Sequence, residues 1–244
     1  MSVRVRILGS GDAFGTGGRM QACVLLERGE TAALLDCGAS SLIALKRFGV
    51  DPGRVAAVAV SHFHGDHFGG LPFLLLDQRF AHRAAPLVVA GPPGIAARVR
   101  TAFDASYPGS AETIPFPVEY VELGERPGEV AWLRVRAFAA DHTPGTAARV
   151  LRIEVDGVIV AYSGDTAWTD GLARAADGAD LLICEALSFA KPLPHHLSHA
   201  TLAEHRDALR CGRIVLTHAG PEMLARRAES AFELADDGWS IELG

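Results

Sequence analysis

The chain of 244 residues lacks several features that define whole classes of protein. It has no apolar run long enough to cross a membrane, because a spanning helix needs about 20 predominantly apolar residues. Its four cysteines are scattered, with no C-x-x-C pair, which is typical of reduced thiols in a cytosolic protein and not of a disulfide framework. No basic-then-apolar leader opens the chain. We therefore expect a cytoplasmic protein without a membrane anchor.

Positive charge is also scarce. The chain has 23 Lys and Arg residues against 29 Asp and Glu residues, which gives a net charge of −6. This balance argues against a protein that binds nucleic acid mainly by electrostatic attraction. Hydrophobic residues make up 49% of the chain, which excludes the disordered and fibrous classes and allows a substantial core. No linker, repeat or low-complexity tract divides the chain, so we expect one domain over residues 1–244.

One short stretch collects four potential metal ligands. Ser61–His67 reads Ser-His-Phe-His-Gly-Asp-His and follows Val55–Val60, an apolar run that predicts a buried strand. Alternate side chains of a strand share a face, so His62 and His64 are expected to point the same way, and Gly65 to let the chain bend sharply after them. Imidazole and carboxylate groups bind zinc, iron and manganese. The stretch therefore predicts a metal site, with the candidate ligands His62, His64, Asp66 and His67.

The spacing His-x-His-x-Asp-His, followed by Gly69 and Gly70, resembles the metallo-β-lactamase superfamily. This resemblance implies an α/β fold, an αββα sandwich of two mixed β-sheets flanked by helices, with metals at one edge between the sheets. The order of predicted elements, strand-rich early and alternating strand and helix later, fits that architecture. The superfamily needs further ligands downstream, and three candidates follow predicted strands in the expected order: His142, Asp165 and His218.

The resemblance also implies how these residues divide between two divalent metal ions, zinc by preference and manganese or iron as alternatives. His62, His64 and His142 would hold one ion, Asp66, His67 and His218 the other, and Asp165 would bridge them. Two such ions lower the pKa of a shared water, and the resulting hydroxide would be the nucleophile. Asp66 would orient that hydroxide or take its proton. Asp36, after a predicted strand, is a candidate hydrogen-bond partner for a ligand histidine.

The C-terminal half resembles tRNase Z and its smaller phosphodiesterase relatives in three stretches, which are Leu181–Ala186, His199–Thr201 and Leu216–His218. On that resemblance His199 would donate a proton to the leaving oxygen, and Glu185 would fix the tautomer of His199. The structural alternative makes His199 an ordinary residue at a helix start, just before a capping box that opens at Thr201. The motif also reads His-Ala-Thr where tRNase Z has His-Ser-Thr.

Two loops are expected to border the site. Lys191–His196 contains two prolines and predicts a mobile flap, which leaves open whether His195 or His196 touches substrate. Gly9–Arg19 is glycine-rich, but a strand follows it and not the helix that a dinucleotide site requires. We expect this loop either to lie at the sheet rim or to close one wall of the site, with Arg19 as an anion contact.

Local signals also predict individual elements. Asp156–Gly157 between two apolar runs predicts a hairpin. A strand is expected over Val130–Phe138, a helix from Pro92 to about Phe103, and another over Thr201–Leu209.

These observations predict a dinuclear metal-dependent hydrolase, a phosphodiesterase that acts on a small phosphodiester or a similar ester. Only a short hairpin separates His142 from Asp165, whereas tRNase Z of the bacterial type inserts there an arm that grips tRNA. RNA as a substrate, for tRNA 3′ processing, is therefore an alternative and not the first choice. A glyoxalase II-type thioester hydrolase, a β-lactamase and a non-catalytic metal-binding sensor are further alternatives. A homodimer is expected by analogy with the family alone.

Overall fold

Two seven-stranded sheets form the centre of the molecule in the computed structural model, which describes residues 2–244. The first sheet has the strand order β14-β1-β2-β3-β4-β5-β6 and mixes antiparallel with parallel pairs. Its strands are β1 (Val3–Gly9), β2 (Cys23–Arg28), β3 (Thr31–Leu35), β4 (Val55–Ala59), β5 (Leu87–Gly91), β6 (Val118–Glu122) and β14 (Trp239–Leu243).

The second sheet is also mixed, in the order β13-β12-β11-β10-β9-β8-β7. Its strands are β7 (Gly128–Val130), β8 (Leu133–Ala139), β9 (Arg149–Val155), β10 (Val158–Tyr162), β11 (Leu181–Glu185), β12 (Arg213–Thr217) and β13 (Glu233–Leu234). Within it β10, β11 and β12 run parallel, so their carboxyl ends meet at one edge.

Helices cover the outer face of each sheet. They are α1 (Ser41–Arg47), α2 (Gly65–Phe68), α3 (Leu71–Phe80), α4 (Ile95–Ser106), α5 (Asp170–Ala176), α6 (His199–Glu204) and α7 (Pro221–Ala225). The predicted αββα sandwich of two mixed sheets is confirmed. No helix within residues 2–244 combines the length and the apolar character needed to span a membrane.

The core lies in three layers. Val3, Val5 and Ile7 of β1 point between the sheets, where they pack with apolar side chains of the second sheet. Two further clusters lie between each sheet and its helices. Each fully buried aliphatic side chain contributes about 1.5–3 kcal/mol through the removal of apolar surface from water. This packing fixes the strands whose ends carry the site.

Most predicted elements are present, with shifted ends. The Asp156–Gly157 hairpin is confirmed, with φ of 48° and 85° at its two turn residues, as a type I′ turn requires. The strand expected near Val130–Phe138 is confirmed as β8 (Leu133–Ala139) with a later start, because Ala131 adopts a positive φ of 53° and separates β8 from the short strand β7. The helix expected from Pro92 begins at Ile95.

Candidate active site

All seven predicted metal ligands meet at one edge of the sandwich. They form two groups that share Asp165, and within each group the candidate ligand atoms lie within 4.8 Å of one another. The first group contains His62, His64, His142 and Asp165, and the second contains Asp66, His67, Asp165 and His218. The grouping matches the division that the sequence resemblance implied.

The local structure of the His-x-His-x-Asp-His stretch differs from the expectation. Strand β4 ends at Ala59, so His62 and His64 lie on the loop that follows and not on the strand itself. Gly65 starts the short helix α2, which carries the remaining two ligands of the motif. The motif therefore works as a loop followed by one helical turn, and strand alternation is not what brings the two histidines together.

The other three candidates follow strands of the second sheet. His142 comes after β8, Asp165 after β10 and His218 after β12. Gly164 allows the close approach of the two sheets at this point, because a Cβ there would lie 2.7 Å from Ser61 Cβ. Chain segments far apart in sequence thus supply one cluster of side chains.

A buried carboxylate, Asp36, organises the first sheet's contribution. It accepts hydrogen bonds from the backbone N–H of Ser61 (2.6 Å), the Ser61 hydroxyl (2.7 Å) and the Tyr162 hydroxyl (2.7 Å). Its Oδ2 also lies 2.6 Å from Nδ1 of His67. Because a carboxylate only accepts, His67 donates through Nδ1, and its Nε2 is the nitrogen that faces the cluster. Burial would lower the pKa of His67, but Asp165 and Asp36 raise it well above its usual value, so a cation that binds Nε2 would displace a proton. The predicted contact between Asp36 and one of the candidate ligand histidines is confirmed.

The tautomer of His62 follows from the same network. The Ser61 hydroxyl has one proton, which it donates to Asp36. His62 Nδ1, at 3.0 Å from that hydroxyl, must therefore be the donor to Ser61. The remaining nitrogen, Nε2, then has a free lone pair in the cluster. Two neighbouring histidines are thus held in the tautomer that binds a cation.

His142 is fixed by a backbone carbonyl. Its Nδ1 donates to the carbonyl oxygen of His195 at 2.9 Å, which leaves Nε2 with a lone pair. That Nε2 lies 3.0 Å from Nδ1 of His64. Two nitrogen lone pairs at this distance repel each other unless a proton or a cation lies between them.

Asp165 lies at the centre of the cluster. Its Oδ2 is 3.3 Å from Nε2 of His218, 3.9 Å from Nε2 of His62 and 4.0 Å from Nε2 of His142. Its Oδ1 is 3.2 Å from Nε2 of His67. Burial would raise the pKa of Asp165, but the surrounding imidazoles hold it well below its usual range. The carboxylate is therefore ionised and positioned to contact both groups.

The cluster fits a metal ion. Several of its polar atoms are buried without a hydrogen-bond partner among residues 2–244, namely His62 Nε2, His67 Nε2, Asp165 Oδ1 and His218 Nδ1. Burial lowers the pKa of His62, His142 and His218, which keeps their rings neutral as metal ligands require. Unsatisfied buried polar atoms are costly, and divalent cations would satisfy three of these four. The donor set of imidazoles and carboxylates suits zinc, iron and manganese.

The predicted partnership of Glu185 with His199 is wrong. Glu185, at the end of β11, pairs instead with His196, whose Nδ1 lies 3.0 and 3.1 Å from the two carboxylate oxygens. The His196 ring lies beside the cluster, with centroids 4.9 Å from His142 and 6.0 Å from His218. The structure thus places a carboxylate–histidine pair beside the cluster of candidate ligands, but the histidine of this pair is His196 and not His199.

His199 does not contact the Glu185–His196 pair and instead packs within the fold. Its Nε2 accepts a hydrogen bond from the backbone N–H of Ala231 at 3.0 Å, and its ring stacks on Phe189 with centroids 4.3 Å apart. The reason lies in the helix start: Ser198 caps α6 by accepting from the Thr201 N–H at 3.1 Å. The cap expected at Thr201 is therefore three residues earlier, which makes His199 the first helical residue.

One sequence signal could have identified His196. Ser198 is a favoured N-cap residue, and placing the cap there assigns the residues before it to an irregular segment. Side chains of such a segment are free to face a site. The flap predicted over Lys191–His196 is the same irregular segment.

Burial raises the pKa of Glu185 to about 7, and its hydrogen bond to His196 opposes that rise. Burial alone would lower the pKa of His196, but Glu185 raises it above its usual value. The pair is therefore joined by a hydrogen bond that favours the protonated imidazole of His196. Such a pair is suited to donate a proton through the second ring nitrogen of His196.

The glycine-rich loop lies next to the cluster. Its Ser10 carbonyl accepts from the His218 N–H at 2.9 Å, and Gly11 bridges to Ala219. Arg19, proposed from the sequence as an anion contact, forms an ion pair with Asp236. Its guanidinium is thus already engaged by a carboxylate.

Comparisons with known proteins show the family of the chain. The model of a family described as anti-Pycsar protein Apyc1 matches residues 3–236, nearly the whole chain. The chain belongs to the Apyc1 family. This Apyc1-family chain is also 30% identical over 270 residues to the ribonuclease Z of Mycobacterium bovis (strain BCG / Pasteur 1173P2), an alignment that covers 99% of the chain and 95% of that protein.

Solved structures show the same fold. The metallo-β-lactamase fold protein YhfI from Bacillus subtilis has a TM-score of 0.80 at 21% identity, with 99% of both chains covered. The short form of human tRNase Z has a TM-score of 0.80 at 24% identity, with 98% of both chains covered. The predicted membership in the tRNase Z-like branch of the metallo-β-lactamase superfamily is confirmed, and the protein is a metal-dependent hydrolase.

Proposed function

We propose that this Apyc1-family chain is a phosphodiesterase that hydrolyses a small phosphodiester, such as a cyclic nucleotide. The observation that carries the proposal is the Glu185–His196 pair beside the histidine and aspartate cluster. An alkoxide leaving a phosphodiester needs a proton, and a histidine that is oriented by a carboxylate supplies one. A thiolate leaving a thioester has much less need of that proton, which disfavours the glyoxalase II-type alternative.

In the same proposal, the cluster of histidine and aspartate side chains binds the metal ions that activate the attacking water. In this proposal the metal ligands are the seven side chains His62, His64, Asp66, His67, His142, Asp165 and His218. Two zinc ions there would stabilise negative charge on the phosphoryl oxygens and activate water for attack. Asp66 is buried and its Oδ2 lies 3.2 Å from Nε2 of His67, at the same side of the cluster as Asp165.

The size of the substrate is inferred from the segment between His142 and Asp165. It consists of the β9–β10 hairpin with its tight turn at Asp156–Gly157, and no part of it extends as an arm. The alignment with the mycobacterial ribonuclease Z runs over 270 residues, more than the 244 of this chain, so the relative contains residues that this chain lacks. Together with the net charge of −6, this favours a small substrate over a folded RNA.

A second candidate function, tRNA 3′ processing, is favoured by one observation. The curated relatives at 30% identity are named ribonuclease Z, and they align over 99% of the chain. The same cluster and the same Glu185–His196 pair would serve that reaction, because it also cleaves a phosphodiester. The two proposals differ in how the substrate is bound, and not in the chemistry at the phosphorus.

An activity panel on zinc- or manganese-loaded protein separates these functions. It contains 3′,5′-cyclic nucleotides of each base, a bis-aryl phosphodiester, a precursor tRNA, a glutathione thioester and a β-lactam. We expect turnover of the aryl diester and of at least one cyclic nucleotide, with kcat/KM for precursor tRNA lower by orders of magnitude. Preferred cleavage of precursor tRNA would favour the second candidate, and thioester cleavage without diester cleavage would refute both.

A further inference from the structure

The segment that carries His196 is held to the rest of the site by a ring of hydrogen bonds. At one end Glu185 accepts from the Thr166 N–H at 2.6 Å, and Thr166 Oγ1 in turn accepts from the Asp141 N–H at 3.0 Å. The Asp141 carbonyl also accepts from the Ala167 N–H at 2.8 Å. The backbone of Asp141 is therefore fixed relative to Glu185.

The side chain of Asp141 closes this ring. Its Oδ1 lies 3.2 Å from Nδ1 of His195, the residue immediately before His196. His195 has a positive φ of 63°, which is uncommon for a residue with a Cβ. Its carbonyl oxygen accepts from His142 Nδ1 at 2.9 Å. The unusual backbone conformation at His195 thus coincides with two contacts, one through the ring and one through the carbonyl.

We propose that Asp141 is a positioning residue, which holds the His195 ring and thereby keeps His196 at the leaving group. The proposal rests on the phosphodiesterase function stated above. Asp141 touches neither the cluster nor the His196 ring in this arrangement, and acts only through His195. Rotation of the His195 backbone would move His196, its direct neighbour, away from Glu185.

The expected effect of removing the Asp141 side chain is small, because its contact with His195 is exposed to solvent. The side chain of Asp141 is 58% exposed and that of His195 41% exposed, so their contact is weaker than a buried ion pair. Loss of an exposed pair shifts a local equilibrium by about two- to fivefold. We therefore expect Asp141 to change the fraction of molecules in which His196 is in place, and not to determine whether the protein folds.

The test uses Asp141→Ala and Asp141→Asn in the zinc-loaded full chain, with aryl phosphodiesters whose leaving phenols differ in pKa. Proton donation matters most for poor leaving groups. Asp141→Ala should lower kcat by about two- to fivefold for the poorest leaving group and leave nitrophenol release unchanged. Asp141→Asn retains an oxygen acceptor and should lie between the wild type and Asp141→Ala.

Hydrogen exchange supplies a readout that is independent of activity. Amides of residues 188–198 should exchange about two- to fivefold faster in Asp141→Ala, with metal content unchanged. Asp104→Ala is the matched control, because Asp104 is exposed on α4 and makes no side-chain hydrogen bond or ion pair within residues 2–244. It should alter neither measurement. His195→Asn tolerates positive φ and keeps an amide N–H that can donate to Asp141, so it should stay close to the wild type in both measurements.

Two results would overturn the inference. One is unchanged exchange and an unchanged leaving-group dependence in Asp141→Ala. The other is an equal loss for every leaving group together with loss of metal, which would assign Asp141 to the support of His142 alone. If the wild type cleaves no phosphodiester, the proposed function fails, whereas the exchange rates still decide whether Asp141 holds this segment.

Discussion

The cluster of candidate metal ligands and the segment that carries His196 are held in place by different kinds of structure. Most of the cluster stands directly after β4, β8, β10 and β12, and buried partners such as Asp36 fix its rings. The segment Lys191–Leu197 has no helix or strand of its own, and its side-chain contacts range from the largely buried Glu185–His196 hydrogen bond to the half-exposed Asp141–His195 contact. In the proposed mechanism, the side chains that would bind the metal ions have a rigid frame, whereas the proposed proton donor lies on an irregular segment beside it.

The same contrast separates two histidines three residues apart. His196, before the helix cap, faces Glu185 and the cluster. His199, after the cap, packs on Phe189 and accepts from the chain at Ala231. Substitutions in the cluster, in the Glu185–His196 pair and at His199 test this division.

Asp165→Ala should have the largest effect. Both candidate ligand groups contain this carboxylate, and its removal leaves adjacent cations without the negative charge that offsets their repulsion. We expect loss of detectable diesterase activity and a fall in metal content, measured by elemental analysis of purified protein. Asp170→Ala, an exposed change at the start of α5, is the control and should keep both. Normal activity with a normal metal content in Asp165→Ala would refute the shared-carboxylate role.

His196→Ala should reduce kcat by about 10²–10⁴-fold for poor leaving groups and far less for nitrophenol, because general acid catalysis is worth that much. Metal content should not change. Glu185→Gln should follow the same pattern with a smaller loss, because Glu185 acts through His196. A uniform loss across leaving groups in His196→Ala would assign this residue to substrate binding instead of proton donation.

Asp36→Asn should weaken metal binding by about 10–100-fold, as is usual when the hydrogen-bond partner of a metal-binding histidine is changed. The measurement is the zinc concentration that restores half of the activity to chelator-treated protein. Tyr162→Phe removes another hydrogen bond to the same carboxylate but leaves the contact with His67 in place. It should therefore shift this concentration much less. An equal shift in both variants would show that Asp36 acts through general stability.

His199→Ala should have the smallest effect on catalysis. It removes a ring that stacks on Phe189 and accepts one hydrogen bond, so we expect a loss of about 1–3 kcal/mol in the free energy of unfolding. Urea unfolding measures that loss. The kcat at 25 °C should remain within about twofold of the wild type, because a loss of stability of this size does not alter the site of the folded protein. A loss of kcat matching that of His196→Ala would contradict the structural role.

The sequence predicted the cluster well for a physical reason. Residues that end neighbouring strands of a sheet lie at one edge, so His142, Asp165 and His218 could be placed from strand patterns and motif order. The two-sheet sandwich was implied by the resemblance to the metallo-β-lactamase superfamily, and the order of predicted strands and helices fitted it.

The histidine that pairs with Glu185, which we propose as the proton donor, could not be placed with the same certainty. The ring that reaches Glu185 depends on where α6 begins and on a left-handed residue, His195, in the segment before it. Neither hydrophobic period nor motif spacing specifies such a conformation, and a shift of three residues exchanges His196 for His199. The break at Ala131 between β7 and β8 was missed for the same reason, since a single positive φ decides it.

The convergence of both sheets on one cluster has a mechanical consequence. His62 and His67 belong to the half of the chain that builds the first sheet, and His142 and His218 to the half that builds the second. A cation bound by side chains of both halves would therefore cross-link the two sheets non-covalently. Removal of bound metal by a chelator should therefore loosen this edge of the sandwich first, and the ions proposed to take part in hydrolysis would also hold the two halves of the molecule together.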